Sequence, residues 1–463
     1  MAAVPLDSER YLTRPQLIDA GNLLLDIIFS TLHNGAIEKA RLGFQRLCER
    51  LLRCPRTHVR FLPSEWLDRL LERLPAHDVP VVRRSSQLSF SILAILDAEP
   101  AGAARPLLTR AMAALLAAAE HGVPGHGEGG ELRSRVHALN ILRHVFLDTN
   151  LAKEVRRCPL SSFALLGHPP VSHGWICAGQ VAAFIPDAML LAIRGFGAGT
   201  WAVRNSSTLC FSVLLNRAMG GAHQRKSFTA GEFFLRYPTL CPGLLARLTL
   251  ATANLADGGA GQEMHPELQP VLVILSQLSP SPHVRDDLAH LAKFAPPVRM
   301  CLAHRNAMVR AMAARALVPF IPAAAAPACI QDTLLGKAAG PLADRAHAFN
   351  YNNRTSGLLE ATRRLVHYQC SRTDLCADVA ESLAAGKDWH HLCRSLATFL
   401  PAWAHDARVP PPARLLLLKA CGDILWTPGG ALQALLPTPA QQRGAAELRA
   451  ATAVREQEAP EES

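Results

Sequence analysis

Val309-Arg310-Ala311-Met312-Ala313-Ala314-Arg315-Ala316-Leu317-Val318-Pro319-Phe320 sets apolar side chains at Val309, Met312, Ala313, Ala316, Leu317 and Phe320. Steps of three and four are the period of one face of an α-helix, so this stretch predicts a buried helical face. A second stripe, Leu132, Val136, Leu139, Leu142, Val145 and Phe146, keeps the same period. Sustained apolar and polar alternation between turn pairs, the mark of strands, is hard to find anywhere in the chain. The expected fold class is all-α.

The opening residues of that stretch have echoes. Val82-Arg83-Arg84-Ser85-Ser86, Val203-Arg204-Asn205-Ser206-Ser207 and Val309-Arg310-Ala311-Met312-Ala313-Ala314 each place a valine, an arginine and then small residues, at starts 121 and 106 residues apart. Both intervals are close to three times about 35–40, the size of helix-pair repeats, and small residues let stacked helices approach closely. The expected architecture is a HEAT/armadillo-like helical-repeat solenoid. The competing reading is that such a pattern recurs by chance in any helical chain rich in alanine and arginine.

With 463 residues, 49% apolar and 19% charged, the chain can bury a large core, which excludes disorder throughout. No apolar run reaches the roughly 18 residues of a spanning helix, so no membrane role is expected. The first ten residues, Met1 to Arg10, lack a basic segment followed by an apolar one, and a cytoplasmic location is expected. The twelve cysteines are scattered without a Cys-x-x-Cys pair, so reduced and mostly buried thiols are expected. Net charge is +10, carried by arginine, with only seven lysines among 48 basic residues. Basic residues number 15 against 12 acidic in residues 1–110, 13 against 5 in 131–250, and 20 against 19 in 251–463. The excess lies in the middle.

Turn-forming residues divide the chain. His121-Gly122-Val123-Pro124-Gly125-His126-Gly127-Glu128-Gly129-Gly130 reads as a flexible loop between N-terminal repeats (1–120) and a basic central core (131–250). Asp257-Gly258-Gly259-Ala260-Gly261 precedes C-terminal repeats over 263–436, and 437–463 loses large apolar residues and reads as a disordered tail.

No catalytic constellation stands out. Gly195-Phe196-Gly197-Ala198-Gly199 follows a helical stretch rather than the strand a nucleotide loop needs, and reads as a helix C-cap and turn. His121 with His126, and His390-His391-Leu392-Cys393, lack a second set at zinc spacing, so no metal is expected. Nucleophile-elbow, phosphate-loop and His-Glu-x-x-His motifs are absent, so neither catalytic residues nor a cofactor are assigned. The basic middle remains, and a positive field attracts a polyanion. If the repeats stack, Arg133, Arg143, Arg204, Arg225, Lys226 and Arg236 line a surface that reads folded RNA by shape and phosphate. The alternative is ordinary solvated arginine on helix faces.

Trp201-Ala202-Val203-Arg204-Asn205-Ser206-Ser207-Thr208-Leu209, then Phe211-Ser212, then Gly231-Glu232-Phe233-Phe234-Leu235-Arg236-Tyr237-Pro238-Thr239-Leu240, resemble the THADA (thyroid adenoma-associated) family and its fungal relatives. Val136-His137-Ala138-Leu139-Asn140-Ile141-Leu142-Arg143 and Met312 to Phe320 are similar too, so the resemblance covers roughly residues 20–360. It implies a helical-repeat scaffold, not itself a methyltransferase. It also implies a partner, an FtsJ-type enzyme that uses S-adenosylmethionine and acts on the ribose 2′-oxygen of nucleotide 32 in the tRNA anticodon loop.

The family motif Arg-Arg-Ser-Ala-Gly-[Leu/Ile]-Pro, associated with support of that modification, resembles Arg83-Arg84-Ser85 at its start. Here Ser86-Gln87 stands where Ala-Gly is expected, and Ser89 replaces the proline. The alternative is that Arg83 and Arg84 cap or salt-bridge neighbouring repeats. The family's flanks to 156–180 look nearly continuous, so that segment reads as an insertion, either a surface loop or a retained non-coding stretch. Family members are much longer than this chain, so the resemblance implies a C-terminal part or short isoform. The expected function is that of a non-catalytic tRNA-modification scaffold, with tRNA and the methyltransferase as partners. The second reading is a protein-interaction solenoid without RNA-modification activity, and a methyltransferase in its own right is disfavoured by the lack of a strand-borne glycine loop.

Overall fold

The computed structural model describes residues 12–31, 33–76, 86–100, 105–151, 180–220, 228–253, 264–280, 286–321, 329, 353 and 356–365. Arg83 to Ser85, Arg225, Lys226, residues 156–179, the Asp257–Gly261 break, His390 to Cys393 and the tail 437–463 lie outside them. The chain forms two compact units, Met1–Arg225 and Lys226–Ser463. In the first the helices are α1 (Arg14–Ser30), α2 (Asn34–Leu52), α3 (Thr57–Arg60), α4 (Leu62–Glu72), α5 (Ser86–Ala98), α6 (Pro106–His121), α7 (Gly127–Leu147), α8 (Ile185–Gly195) and α9 (Trp201–Met219). The second contains α10 (Ala230–Arg236), α11 (Leu240–Ala253), α12 (Leu268–Leu275), α13 (Ala295–Cys301) and α14 (Ala307–Leu317). Among the described residues there is no strand, only a single parallel bridge between Thr229 and Ser279. The fold is all-α, and consecutive helices pack on each other as a helical repeat does.

Local sequence explains where helices begin. Pro15 stands in the first turn of α1, and the Thr13 backbone N–H donates to Gln16 Oε1 at 3.0 Å. At α6 the buried Glu99 carboxylate accepts from the N–H groups of Leu107 and Leu108 at 2.8 and 3.0 Å, so a side chain from the end of α5 caps the next helix. At α10 Thr229 and Glu232 exchange side chain and backbone bonds of 3.0 and 3.2 Å.

Packing in the first unit starts where α1, α2 and α4 meet. Trp66 lies on the bare backbone of Gly21, where a Cβ would stand 2.1 Å from the indole, and its ring meets Phe44 at 5.3 Å. Helix α7 is the centre: Val136 to Leu142 are buried without interruption, as are Val145 and Phe146, because α5, α6 and α9 surround it. The sequence stripe on α7 marked one face, and the structure buries every face over the two turns from Val136 to Leu142. In the second unit Phe234, Phe294 and Phe320 stack at 5.5 and 4.8 Å, joining α10 to the two 3₁₀ segments, Asp286–Phe294 and Val318–Phe320. All six apolar positions of the 309–320 stripe are buried, with the α-helix giving way to a 3₁₀ turn at Val318-Pro319.

The expected loop over 121–130 needs correction. Helix α6 runs through His121 and α7 starts at Gly127, which leaves a turn of residues 122–126 inside one unit. Gly122, at φ +79°, allows this: a Cβ there would meet Glu131 Cβ at 2.7 Å, so the glycine brings the two helices together. The chain divides instead at 225/226, within the stretch read as one basic core. Cys48, Cys54, Cys210, Cys241, Cys301 and Cys329 are buried and form no disulfide, as expected, and burial pushes the Cys210 and Cys301 thiols up to about 12.

Two ionisable groups, buried His137 and half-buried Asp97, pull stability in opposite directions. Burial, reinforced by the Arg133 charge, lowers His137 to about 4, so the unfolded chain takes up its proton first and stability falls as pH drops from 6.5 toward 4. Burial and the Asp148 carboxylate raise Asp97 to about 6 against the pull of Arg41 and Arg105, so stability falls as pH rises from 3.8 toward 6. The two effects offset each other over that shared range. Asp97→Asn removes one of them, and urea unfolding of the variant between pH 4 and 6 should gain stability with rising pH more steeply than the wild type, by on the order of 1–3 kcal/mol across the window.

Candidate nucleic-acid interface

Helix α8 ends at Gly195, and the turn through Phe196 to Thr200 leads straight into α9, which matches the C-cap and turn expected for the glycine-rich stretch. Such a turn leaves carbonyls that no helical N–H can reach. Arg204, in the first turn of α9, folds back and donates from Nη1 to Ala198 O at 2.7 Å and Gly199 O at 3.0 Å. Arg310, at the same place in α14, donates from Nη1 to His304 O at 2.8 Å and Arg305 O at 2.9 Å, and reaches Asn353 Oδ1 at 3.0 Å. In both cases the acceptors lie five and six residues back, and the preceding valine, Val203 or Val309, is buried. The Val-Arg-x-x-small pattern is therefore one repeated structural device at these two sites. Its third copy, at Val82, lies outside the described residues.

Other arginines serve the same end. Arg133 Nε donates to Pro75 O at 3.1 Å just past α4, and Arg135 Nε to Ala119 O at 3.4 Å in the last turn of α6. Arg217 Nη2 reaches Asp148 O at 2.8 Å at the end of α7, and Arg105 Nη2 bonds Leu96 O in the last turn of α5. Each brings positive charge to the end of a helix where carbonyls carry partial negative charge. Arg194 pairs with Glu120, and Arg247 pairs with Glu267 at 2.7 Å.

Of the residues expected to meet RNA, Arg133 and Arg143 stand on α7 and Arg204 on α9, which packs against α7, while Arg236 belongs to the other unit. Arg143 sits near enough to Cys210 for its charge to counter the effect of burial on that thiol. The Arg236 guanidinium lies 5.5 Å from the Tyr237 ring centroid and 5.9 Å from that of Phe228. All four side chains are half-buried and engaged by the fold. The exposed cations that make no ion pair with described residues stand elsewhere, and include Lys39, Arg46 and Arg53 on and after α2, and Arg60 and Arg69 on α3 and α4. Counting charge by segment passed over them because acids elsewhere in 1–110 cancel the total, whereas the seven-residue spacing of Lys39, Arg46 and Arg53 was the usable signal.

If these arginines hold the turns, removing one leaves two turn carbonyls without their guanidinium donor. Arg204→Ala and Arg310→Ala should each lower stability by about 1.5–3 kcal/mol in urea unfolding. Arg46→Ala should stay within roughly 0.5 kcal/mol of wild type.

Comparison with known proteins adds the family. A family model described as THADA/TRM732, DUF2428 matches residues 1–165, and a second, described as Trm732, C-terminal TPR repeats, matches residues 204–365. TPR units, like the HEAT and armadillo units expected from the sequence, are stacked helix pairs. The tRNA (32-2′-O)-methyltransferase regulator THADA of Canis lupus familiaris is 34% identical over 352 residues, 73% of this chain and 16% of the dog protein. The human protein of the same name is 33% identical over 336 residues, 69% of this chain and 16% of its own length. The tRNA (32-2′-O)-methyltransferase regulator trm732 of Schizosaccharomyces pombe is 26% identical over 308 residues, 64% of this chain and 18% of its own length. The chain thus spans about a sixth of the length of the curated relatives it matches. No solved structure matches it significantly. With two models in order along the chain, and relatives from yeast to mammals aligned over most of it, the chain belongs to the THADA/Trm732 family.

Proposed function

We propose that this chain is a non-catalytic scaffold that supports an FtsJ-type methyltransferase in 2′-O-methylating nucleotide 32 of the tRNA anticodon loop. The similarity to regulators of tRNA (32-2′-O)-methyltransferase carries this reading. The physical logic is one of orientation. A helical stack whose turns are fixed by arginine bonds can hold the tRNA body rigidly, so that one ribose reaches the partner's active site at little entropic cost. The reacting groups belong to the partner, and the chain acts in the cytoplasm. In this reading Arg133, Arg143, Arg204 and Arg236 contribute first by holding the helices in register, and any phosphate they meet is met from that fixed framework. The Arg83-Arg84-Ser85 segment, which immediately precedes α5, is the proposed meeting point with the enzyme.

One observation favours the second reading, an interaction solenoid without a role in modification. Gln87 and Ser89, at the glycine and proline positions of the family motif, are buried within α5, and Gln87 Nε2 donates to Phe29 O at 3.4 Å. A proline at the fourth position of this helix would remove a backbone donor and start the helix later. In this chain the motif's second half is helix core.

Expression of the chain in cells that lack the endogenous regulator but retain the methyltransferase decides between them. The scaffold reading expects 2′-O-methylation of tRNA nucleotide 32 to return. A soluble, folded chain that leaves nucleotide 32 unmodified would favour the interaction module.

A further inference from the structure

Helix α2 has two opposed faces. Ile37, Ala40, Phe44, Cys48 and Leu51 turn to the core. On the other side Lys39, Gly43, Arg46 and Arg50, with Arg53 at the C-cap, follow steps of four, three, four and three residues. At 100° per residue these positions fall in one narrow sector, and at ~1.5 Å per residue the stripe is about 21 Å long. Lys39, Arg46, Arg50 and Arg53 are all exposed. The acids of α2 lie outside the sector and have partners of their own: Arg41 donates to both Glu38 oxygens, at 2.8 and 3.0 Å, and Gln45 Nε2 donates to Glu49 at 3.3 Å.

This is the reverse of the charge distribution along the sequence. In the basic middle, described arginines bond backbone carbonyls of helix ends and turns, pair with acids or lie near an aromatic ring. On α2 Lys39, Arg46 and Arg53 make no ion pair with any described residue. The sector carries no exposed aliphatic or aromatic side chain, so it offers neither the apolar anchor of a protein interface nor the apolar face of a membrane-surface helix. A row of cations without apolar neighbours is complementary to a phosphodiester backbone.

We propose that the outer face of α2, through Lys39, Arg46, Arg50 and Arg53, is an RNA-binding surface that engages tRNA phosphates. The choice of tRNA rests on the function proposed above, whereas the phosphate chemistry rests on the stripe alone. The binding is sequence-tolerant and salt-dependent, because each neutralised phosphate releases counterions.

The test is the affinity of the full chain for unmodified tRNA, measured across a series of salt concentrations, for the wild type and for Lys39→Glu/Arg46→Glu/Arg53→Glu. A milder triple variant with glutamine at the same positions guards against misfolding. The expected result is binding weakened at least about tenfold near 0.1 M salt, with the slope of log K against log salt reduced by about two for either variant. Unchanged affinity and slope in folded variants, or a wild-type chain that prefers polyglutamate or anionic lipid vesicles to tRNA, would overturn the proposal. The nucleotide-32 assay separates the two claims. Methylation restored by wild type together with tRNA binding that ignores the stripe would sink the α2 surface and leave the scaffold standing, whereas stripe-dependent RNA binding without methylation would do the opposite.

Discussion

The last turn of an α-helix leaves carbonyls that no N–H of the same helix can reach, and a stack of short helices repeats that deficit at every turn. Water can satisfy them at a surface, but only a donor from the protein also fixes the path of the turn. Backbone N–H groups of the turn meet part of that deficit, as Phe196, Gly197 and Ala198 do at the end of α8, and guanidinium groups bond further carbonyls: Arg135 and Arg217 at the ends of α6 and α7, and Arg133, Arg204 and Arg310 in the turns just beyond a helix. Arginine suits the task because its charge is permanent and its planar fork can serve two carbonyls from one nitrogen, as Arg204 and Arg310 both do. Glycine sets the complementary condition. Gly21 lets Trp66 pack on the backbone of α1, and Gly122 lets Glu131 approach closer than any side chain would permit, so the α6–α7 turn stays short.

This arrangement separates two uses of positive charge that composition merges. A guanidinium bonded to helix-end carbonyls has given up part of its donor set and is half-buried, so it contributes less to an attractive field than its formal charge suggests. An exposed cation on a solvated helix face keeps all of its donors. The net charge of +10 is thus a poor map of where a polyanion would settle. The middle of the chain, with its excess of arginine, is built chiefly for holding helices together, and α2 carries a continuous stripe of exposed cations.

Helical period was legible in the sequence because it follows from residues three and four apart, and the 309–320 face proved buried at every apolar position. The all-round burial of α7 was not, since a stripe reports the most apolar direction and not how many neighbours surround a helix. Small and neutral residues such as Ala138, Ser134 and Asn140 fit an interior without announcing it. Gly127 to Gly130 read as loop because glycine is a poor helix former, yet they occupy a first turn whose N–H groups have no intrahelical partner in any case. The repeated Val-Arg-x-x-small pattern was visible, and its spacing pointed to repeats, but the target of the arginine was hidden. Carbonyls five and six residues back come within reach only once a tight turn has formed.

Arginine-selective labelling of the native chain with phenylglyoxal, followed by peptide mass mapping, tests this division of labour most directly. The account predicts that Arg46, Arg53, Arg60 and Arg69 react quickly in the folded protein. Arg133, Arg204, Arg217 and Arg310 should stay protected until the chain is unfolded in urea. Native-state labelling of Arg204 and Arg310 as fast as that of Arg46 would contradict it, because those guanidinium groups would then be free in solution and the turns would have to be held by something else.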